Sequence, residues 1–184
     1  MASRKKTATV VYSAAVSLDG YIATEEGGVD WLHEAMVKGE GYGLAEFRRS
    51  IDCILMGSRT YEHSLKMGFG GDFGSKCWIF SQRPLKAKGA TVTAASPREV
   101  VATLPDHGLH RAWLMGGGEL ASSFLADGLI DEVSIAVMPI VLGSGIPLFN
   151  RLSRTVLLEL VESKTYRGGA LGLRYVPKRK PRRG

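Results

Sequence analysis

Short apolar runs alternate with amphipathic segments along the first two thirds of the chain. Continuous apolar runs of this length are typical of strands that are buried on both faces of a sheet, whereas the segments between them carry apolar residues at helical spacing. The Gly-rich, acidic segment 21–32 is interpreted as a loop. We predict strands at residues 10–16, 52–57, 76–81, 89–95 and 112–116, and helices at 44–50, 58–65 and 96–104 and again from about residue 118.

Several residues signal where the predicted helices begin and end. Ser96 stands three residues before Glu99, as in a capping box, so a helix is expected to begin there. Ser58 or Thr60 is available to cap the helix at its N-terminus after the second strand. Gly128 can adopt the left-handed conformation that ends the last helix.

The last third of the chain has a different period. Val133, Ile135 and Val137 alternate with smaller or more polar residues, which is typical of a strand. Residues 156–166 and 170–178, separated by "RGG", predict a closing hairpin, and no clear helix is expected in this region. The early strand–helix alternation therefore predicts a largely parallel sheet with helices on both faces, and the hairpin adds an antiparallel edge.

Length and composition predict one domain between two basic tails. A chain of 184 residues that is 45% hydrophobic can build one core of ordinary size. We place the domain at residues 9–177 and the tails at 1–8 and 178–184. The tails carry eight basic residues and no acid, so the rest of the chain has a net charge of −2, although the whole chain has +6. The tails are expected to be solvated, with contact to nucleic acid as the less favoured alternative.

Some classes of protein and site are excluded. The chain has neither an apolar run of about 18 residues nor a signal-peptide core, so we expect a cytoplasmic protein without membrane contact. Cys53 and Cys77 lie in strand-like runs and are expected to be buried, reduced thiols. The four histidines are scattered and the cysteines lack ligand spacing, so no metal site is predicted.

Three consecutive glycines, 116–118, follow the last predicted parallel strand. Parallel strands joined by crossover helices place the loops after 52–57, 76–81 and 112–116 at one edge of the sheet. Glycine lets the main chain approach a ligand closely, and a helix that begins at once offers N–H groups to a phosphate. We therefore predict that these amides bind a pyrophosphate, and the alternative is a tight turn with close helix packing.

Two neighbouring loops each add an arginine among hydroxyl or amide side chains, "GSRT" at 57–60 and "SQRP" at 81–84. A guanidinium can hold a phosphate through two hydrogen bonds, and the additional 2′-phosphate of NADP requires cations, so NADP is favoured over NAD. Gly116, Gly118 and Ala121 also fit the loose dinucleotide fingerprint. Because the preceding strand is late and no acid ends the next one, a Rossmann domain is disfavoured.

An ordered set of motifs gives the chain a family resemblance. "SLDGYIA", "ILMGSRTYE", "IFSQRPL" and "WLMGGGELASSFLADGLIDEVSIAVMPIVLGSGIPLF" follow one another over nearly the whole chain. They resemble the dihydrofolate reductase superfamily, and more closely the reductase domain of bifunctional riboflavin-biosynthesis enzymes and its stand-alone relatives. The resemblance implies an α/β fold with a mostly parallel central sheet of about eight strands flanked by helices. It also implies NADPH as hydride donor and often a homodimer.

The resemblance implies a cofactor site by position. The nicotinamide would lie between residues 15–22 and the glycine loop. The implied NADPH contacts are Ala15, Ile22, Gly57, Ser58, Arg59, Thr60, Ser81, Gln82, Arg83, Gly116, Gly117, Gly118, Glu119 and Leu120.

A substrate site is implied next to the nicotinamide. Trp31 and Phe47 are the predicted substrate contacts, and Asp19 is the predicted catalytic polar group, with bracing of its own turn as the alternative. Dihydrofolate reductases carry a carboxylate on the first helix. The matching position here holds Gly43, so dihydrofolate reductase activity is disfavoured. Glu46, three residues further on, is interpreted as an exposed helix glutamate, with a shifted replacement as the alternative.

Taken together, the sequence favours an NADPH-dependent reductase of a heterocyclic substrate. The resemblance points to 5-amino-6-(5-phosphoribosylamino)uracil reductase of riboflavin biosynthesis, or to a related pyrimidine or pteridine reductase. One alternative is a non-catalytic protein that binds or senses NADP. Another is nucleic-acid binding through the tails.

Overall fold

The computed structural model describes residues 8–68 and 76–178. Its strands are β1 (Thr9–Ser17), β2 (Tyr21–Ala23), β3 (Cys53–Gly57), β4 (Lys76–Phe80), β5 (Ala90–Thr93), β6 (Arg111–Gly116), β7 (Glu132–Met138), β8 (Ile146–Pro147), β9 (Leu158–Thr165) and β10 (Leu171–Pro177). Eight of them form one sheet in the order β5-β4-β3-β6-β1-β7-β10-β9, and β2 pairs with β8 in a second, two-stranded sheet.

The direction of the strands agrees with the prediction. Every pair from β5 to β7 in the large sheet is parallel. β10 runs antiparallel to both β7 and β9, and a 3-10 turn at Arg167–Gly169 joins β9 to β10. The mostly parallel α/β sheet with an antiparallel C-terminal hairpin is therefore confirmed.

Helices cover both faces of the sheet. They are α1 (Trp31–Ala35), α2 (Leu44–Arg49), α3 (Ser58–Lys66), α4 (Pro97–Thr103) and α5 (Gly118–Ala126). Successive residues of β3 serve opposite faces, because side chains alternate along a strand. Leu55 packs with Val100 of α4 and Phe124 of α5, whereas Met56 packs with Tyr61 of α3.

The helix ends confirm two predictions and correct a third. Ser96 Oγ accepts the Glu99 N–H at 3.3 Å while the Glu99 carboxylate accepts the Ser96 N–H at 2.8 Å, which is the predicted capping box. Gly128 has the predicted left-handed backbone, with φ 66°. The prediction that Ser58 or Thr60 caps α3 is wrong: the N-cap is Gly57, because α3 follows β3 without a loop.

Among the strands and α-helices of the described residues, three short elements were not predicted. The segment interpreted as a loop contains β2 and the beginning of α1, and β8 lies in the predicted strand-rich region. These elements have three, five and two residues. So few residues cannot show a period, and their conformation comes from pairing with distant parts of the chain.

The remaining predictions concern the two cysteines, membrane contact and the basic tails, and those on the tails fall mostly outside the described residues. Both cysteines are buried and free, and burial raises the pKa of each thiol to about 12, so both stay protonated at neutral pH. No helix within residues 8–68 and 76–178 is long and apolar enough to cross a membrane. Of the two basic tails, only Ala8 and Lys178 are described. The domain limits therefore stay a prediction, although β1 begins at Thr9 and β10 ends at Pro177.

Candidate functional site: a phosphate-binding rim at the carboxyl edge of the sheet

The three predicted loops lie side by side at one edge of the sheet. β4, β3 and β6 are neighbours, and Met56 near the end of β3 pairs with Gly116 at the end of β6. A Cβ atom built on Gly117 would lie 3.6 Å from Oγ1 of Thr60. The glycine loop therefore touches the first turn of α3, as the parallel topology predicted.

Two helices begin at this rim with free first-turn donors. α3 and α5 each contain nine residues and begin directly after a strand, with Gly57 and Gly117 as their N-caps. No side chain among the described residues caps either helix. The first N–H groups of a helix lack partners within the helix, and the macrodipole adds partial positive charge there. Two such ends together form a site suited to an anion.

Both predicted phosphate-binding arginines lie at the rim, and both are paired with carboxylates. Arg59 Nη1 lies 3.4 Å from Glu119 Oε2, so this ion pair joins the first turns of α3 and α5. Arg83 Nη2 donates to both carboxylate oxygens of Glu62, each at 2.6 Å. The two guanidinium groups remain largely exposed and within reach of an incoming phosphate.

An open pocket of about 610 Å³ lies between the loop after β4 and the end of β5. Its polar lining comes from Ser81, Gln82, Arg83, Lys86 and Thr93. Ser81 Oγ donates to the Arg83 carbonyl oxygen at 2.7 Å and accepts the Arg83 N–H at 3.3 Å, which fixes the main chain of this loop. Hydroxyls beside a guanidinium suit a phosphate monoester on the adenosine end of a dinucleotide.

Only the first half of β1 pairs with β6, which leaves a gap in the strand pairing between the second half of β1 and the glycine loop. β1 pairs with β6 only as far as Tyr12 and Leu114, and beyond this point it continues to Ser17 along β7 alone. Ala15 lies in this half of β1, and Ile22 lies on β2, which follows it. The position of the nicotinamide beside this half of β1 stays a prediction.

The three glycines serve different purposes. Gly116 has φ 129°, a region that side-chain-bearing residues rarely adopt, and the peptide bond between Gly116 and Gly117 is cis. A Cβ atom on Gly118 would overlap the carbonyl oxygen of Pro147. Close packing of α5 against β8, the alternative that the sequence left open, therefore explains Gly118. A Cβ atom on Gly117 would instead make an ordinary contact with Thr60 Oγ1.

Asp19 braces the turn between β1 and β2. Its carboxylate accepts hydrogen bonds from Ser17 Oγ at 2.6 Å and from the N–H groups of Leu142 at 3.1 Å and Gly143 at 2.7 Å. The Ser17 hydroxyl and these main-chain donors hold the pKa of Asp19 below its ordinary value. Asp19 is thus ionised at neutral pH and is not a proton donor there. A role beside the substrate stays a prediction.

We expect D19N to lower the melting temperature at pH 7, because an amide nitrogen facing the main-chain donors replaces an accepting oxygen. A carboxylate with a lowered pKa stabilises the fold above its ordinary pKa and loses that contribution on acidification. The difference from the unmodified protein should therefore shrink by about pH 3 in thermal unfolding. D30N is the matched control, because the Asp30 side chain makes no cap bond to α1. Unchanged melting with lost turnover would instead assign Asp19 to catalysis.

The predicted substrate aromatics lie on two short helices, Trp31 at the start of α1 and Phe47 on α2. Trp31 is only 6% exposed and packs with Met138 and Ala170, and its indole nitrogen has no hydrogen-bond partner among the described residues. Phe47 is half-buried and meets the Trp113 ring edge-on, with centroids 5.3 Å apart. Substrate contact by Trp31 and Phe47 stays a prediction.

No buried carboxylate is found on α2. Gly43 is the N-cap of this helix with φ 73°, and a Cβ atom there would lie 3.4 Å from the Tyr166 hydroxyl oxygen. Glu46 is exposed to solvent. Neither residue therefore supplies the carboxylate that dihydrofolate reductases carry on their first helix.

Comparison with known families matches residues 74–171, just over half of the chain, to the RibD C-terminal domain. The chain belongs to the RibD C-terminal domain family. The match contains the loop after β4 and the whole glycine loop, so two of the three loops at the rim lie within the matched residues. The resemblance drawn from the motifs is therefore confirmed.

Relatives of this RibD C-terminal domain extend the match to the full fold. The uncharacterized protein YwjB of Bacillus subtilis (strain 168) is 38% identical over 171 residues, which cover 91% of this chain and 97% of YwjB. The crystal structure of a candidate riboflavin biosynthesis protein from Shewanella sp. PV-4 aligns with a TM-score of 0.85 and 25% identity over 93% of this chain and 99% of that one. Dihydrofolate reductase from Enterococcus faecalis, complexed with NADP(H), aligns with a TM-score of 0.69 and 16% identity over 93% and 97%. The dihydrofolate reductase-like fold is thereby confirmed.

Sequence reasoning missed two residues at the rim of this RibD C-terminal domain. Glu62 pairs with Arg83, and Pro147 packs against Gly118. Glu62 lies three residues after Arg59 on α3. An acid in this part of the helix, next to a loop that carries an arginine, was a signal in the sequence for such an ion pair. Nothing near Pro147 in the sequence indicates its distant partner.

Proposed function

We propose that this RibD C-terminal domain is an NADPH-dependent reductase of 5-amino-6-(5-phosphoribosylamino)uracil or of a related pyrimidine or pteridine. The observation that carries the proposal is the meeting of two helix N-termini and two arginines at one rim. This set of donors suits a ligand with several phosphates. Family membership supports reduction as the chemistry, and a dihydrofolate reductase of the same fold binds NADP(H).

The proposed cofactor site fits the residues that are present. The first turns of α3 and α5, with Arg59, would hold the pyrophosphate, and Ser81 with Arg83 would hold the 2′-phosphate. The gap beside Ala15 would receive the nicotinamide. Bound NADPH supplies the hydride. The chain fixes the orientation of the reacting groups and excludes water from them.

The proposed substrate site lies beside this gap. Phe47 offers the face of an aromatic ring to a heterocycle, and its edge-on contact with Trp113 fixes the orientation of that ring. Trp31 is the second proposed substrate contact, because its buried indole N–H has no hydrogen-bond partner among the described residues. Because the Asp19 carboxylate is ionised at neutral pH, Asp19 is not the donor of the proton that completes the proposed reduction.

Loss of reduced-nicotinamide absorbance tests the proposal directly. The purified protein is incubated with NADPH and each member of a panel of phosphoribosylamino-pyrimidines and pteridines. We expect oxidation that depends on one substrate class, with a matching reduced product by mass spectrometry. NADPH binding without oxidation across the panel favours the non-catalytic NADP-binding alternative, and absence of nucleotide binding refutes both.

Assembly into a homodimer also stays a prediction. β9 is an edge strand, and Leu160 and Val161 on it and Leu157 beside it are 51%, 47% and 66% exposed. Glu159 lies near one end of β9 and Lys164 near the other, so an antiparallel second copy would bring opposite charges together. Light scattering is expected to report the mass of a dimer, and L160D to reduce it to that of a monomer.

A further inference from the structure

The carboxylate of Glu62 lies at the proposed 2′-phosphate site, although a phosphate is bound best by cations. Both oxygens of the Glu62 carboxylate accept from Arg83 Nη2, each at 2.6 Å. The Glu62 side chain is 35% exposed and that of Arg83 57%. The carboxylate therefore engages hydrogen-bond donors of the guanidinium group that the proposed function assigns to the 2′-phosphate.

Both partners of this pair are held by ordered parts of the fold. Glu62 follows Tyr61, which is 2% exposed and fixes α3 against the sheet. The Arg83 main chain is fixed by its two hydrogen bonds with Ser81 Oγ. The main chain of neither residue is free to shift, so the Glu62 carboxylate can move only by rotation of its own side chain. Glu62 therefore stays near any phosphate that binds Arg83.

The two cofactors differ only at the position that faces this carboxylate. A phosphate monoester carries nearly two negative charges at neutral pH and is repelled by a carboxylate a few ångströms away. The 2′-hydroxyl of NADH is uncharged and can donate a hydrogen bond to a carboxylate, as the ribose of NAD does in other folds. Glu62 therefore disfavours one cofactor and is compatible with the other.

We infer that Glu62 is a specificity-determining residue, which lowers the preference for NADPH over NADH by competing with the 2′-phosphate for Arg83. The inference rests on the cofactor site of the proposed function. The Arg59–Glu119 pair provides a built-in comparison, because it lies between the two helix N-termini, where NADPH and NADH are identical.

Dissociation constants for the full chain test the inference. NADPH and NADH are titrated together with adenosine 2′,5′-bisphosphate and 5′-AMP, which report on the adenosine end without nicotinamide. We expect E62Q to bind NADPH and the bisphosphate about three- to tenfold more tightly, with NADH and 5′-AMP unchanged or weaker. E119Q, the matched control, should change NADPH and NADH by the same factor. In E62Q/R83Q the gain should disappear.

The possible results distinguish failure of the inference about Glu62 from failure of the reductase proposal. Three results for E62Q would overturn the inference: equal changes in the affinity for both cofactors, no change, or weaker NADPH binding. Weaker NADPH binding would make Glu62 a residue that positions Arg83. If the bisphosphate discriminates as expected but no substrate is reduced, the reductase proposal fails and the role of Glu62 stands. If no nucleotide binds, both fail. E62A repeats the test without an amide, and thermal unfolding checks that each variant is folded.

Discussion

Gly118→Ala is expected to destabilise the protein by about 3 kcal/mol, because the new methyl group would overlap a main-chain carbonyl. The carbonyl oxygen belongs to Pro147, and its neighbour Leu148 is fixed as well: the Leu148 N–H donates to Gly20 and its carbonyl oxygen accepts from the Tyr12 hydroxyl. The segment therefore cannot move aside without losing hydrogen bonds. Thermal unfolding should show a melting temperature lower by about 6–12 °C.

Gly57→Ala is the matched control for this prediction. Gly57 is also an N-cap at the end of a parallel strand, but its φ is −80° and a Cβ atom there meets nothing within 4 Å. We expect a loss of at most about 1 kcal/mol. If Gly118→Ala melted like the unmodified protein while binding NADPH poorly, Gly118 would belong to the cofactor site rather than to the packing of α5.

The two arginines at the rim should give different cofactor profiles when each is replaced by alanine. Arg83 lines the pocket between β4 and β5, whereas Arg59 lies between the helix N-termini. Arg83→Ala is expected to weaken NADPH about 10- to 100-fold and to leave NADH unchanged, because hydrogen bonds between charged groups contribute about 1.5–3 kcal/mol. Arg59→Ala should weaken both cofactors by similar factors. Calorimetric titration measures all four affinities.

Arg98→Ala controls for the loss of one positive charge. Its guanidinium donates to the Asp127 carbonyl oxygen, just past the C-terminal end of α5, at the opposite end of that helix from the rim. Cofactor affinity should not change in this variant. Equal loss of NADPH and NADH in Arg83→Ala would contradict the assignment of Arg83 to the 2′-phosphate.

The parts of the fold that the sequence predicted are those with a strong local signal. The apolar run before Gly57 gave β3 to within one residue, and Ser96 with Glu99 gave the start of α4. Once those elements were placed, the parallel topology brought the loops after β3, β4 and β6 together without further information. For the same reason the arginines and glycines of the rim were found in advance.

The contacts whose partners were not predicted join residues far apart in the chain. Asp19 accepts from Gly143, 124 residues away, and Gly118 is confined by Pro147. The Glu62–Arg83 pair spans 21 residues and two elements. Nothing in the local pattern around these residues specifies their partners, because a contact of this kind exists only after the strands have taken their order in the sheet.

By itself, the sequence determined the α/β class, the alternation of strands and helices, and the edge of the sheet at which the glycine and arginine loops gather. These follow from hydrophobic period and handedness, which act over a few residues at a time. The tertiary structure alone decided that each rim arginine faces a carboxylate, that Gly118 serves packing, and that the Asp19 carboxylate is held by main-chain donors. Such pairings arise where separate elements meet in the packed fold, so their energies appear only when the long-range contacts have formed.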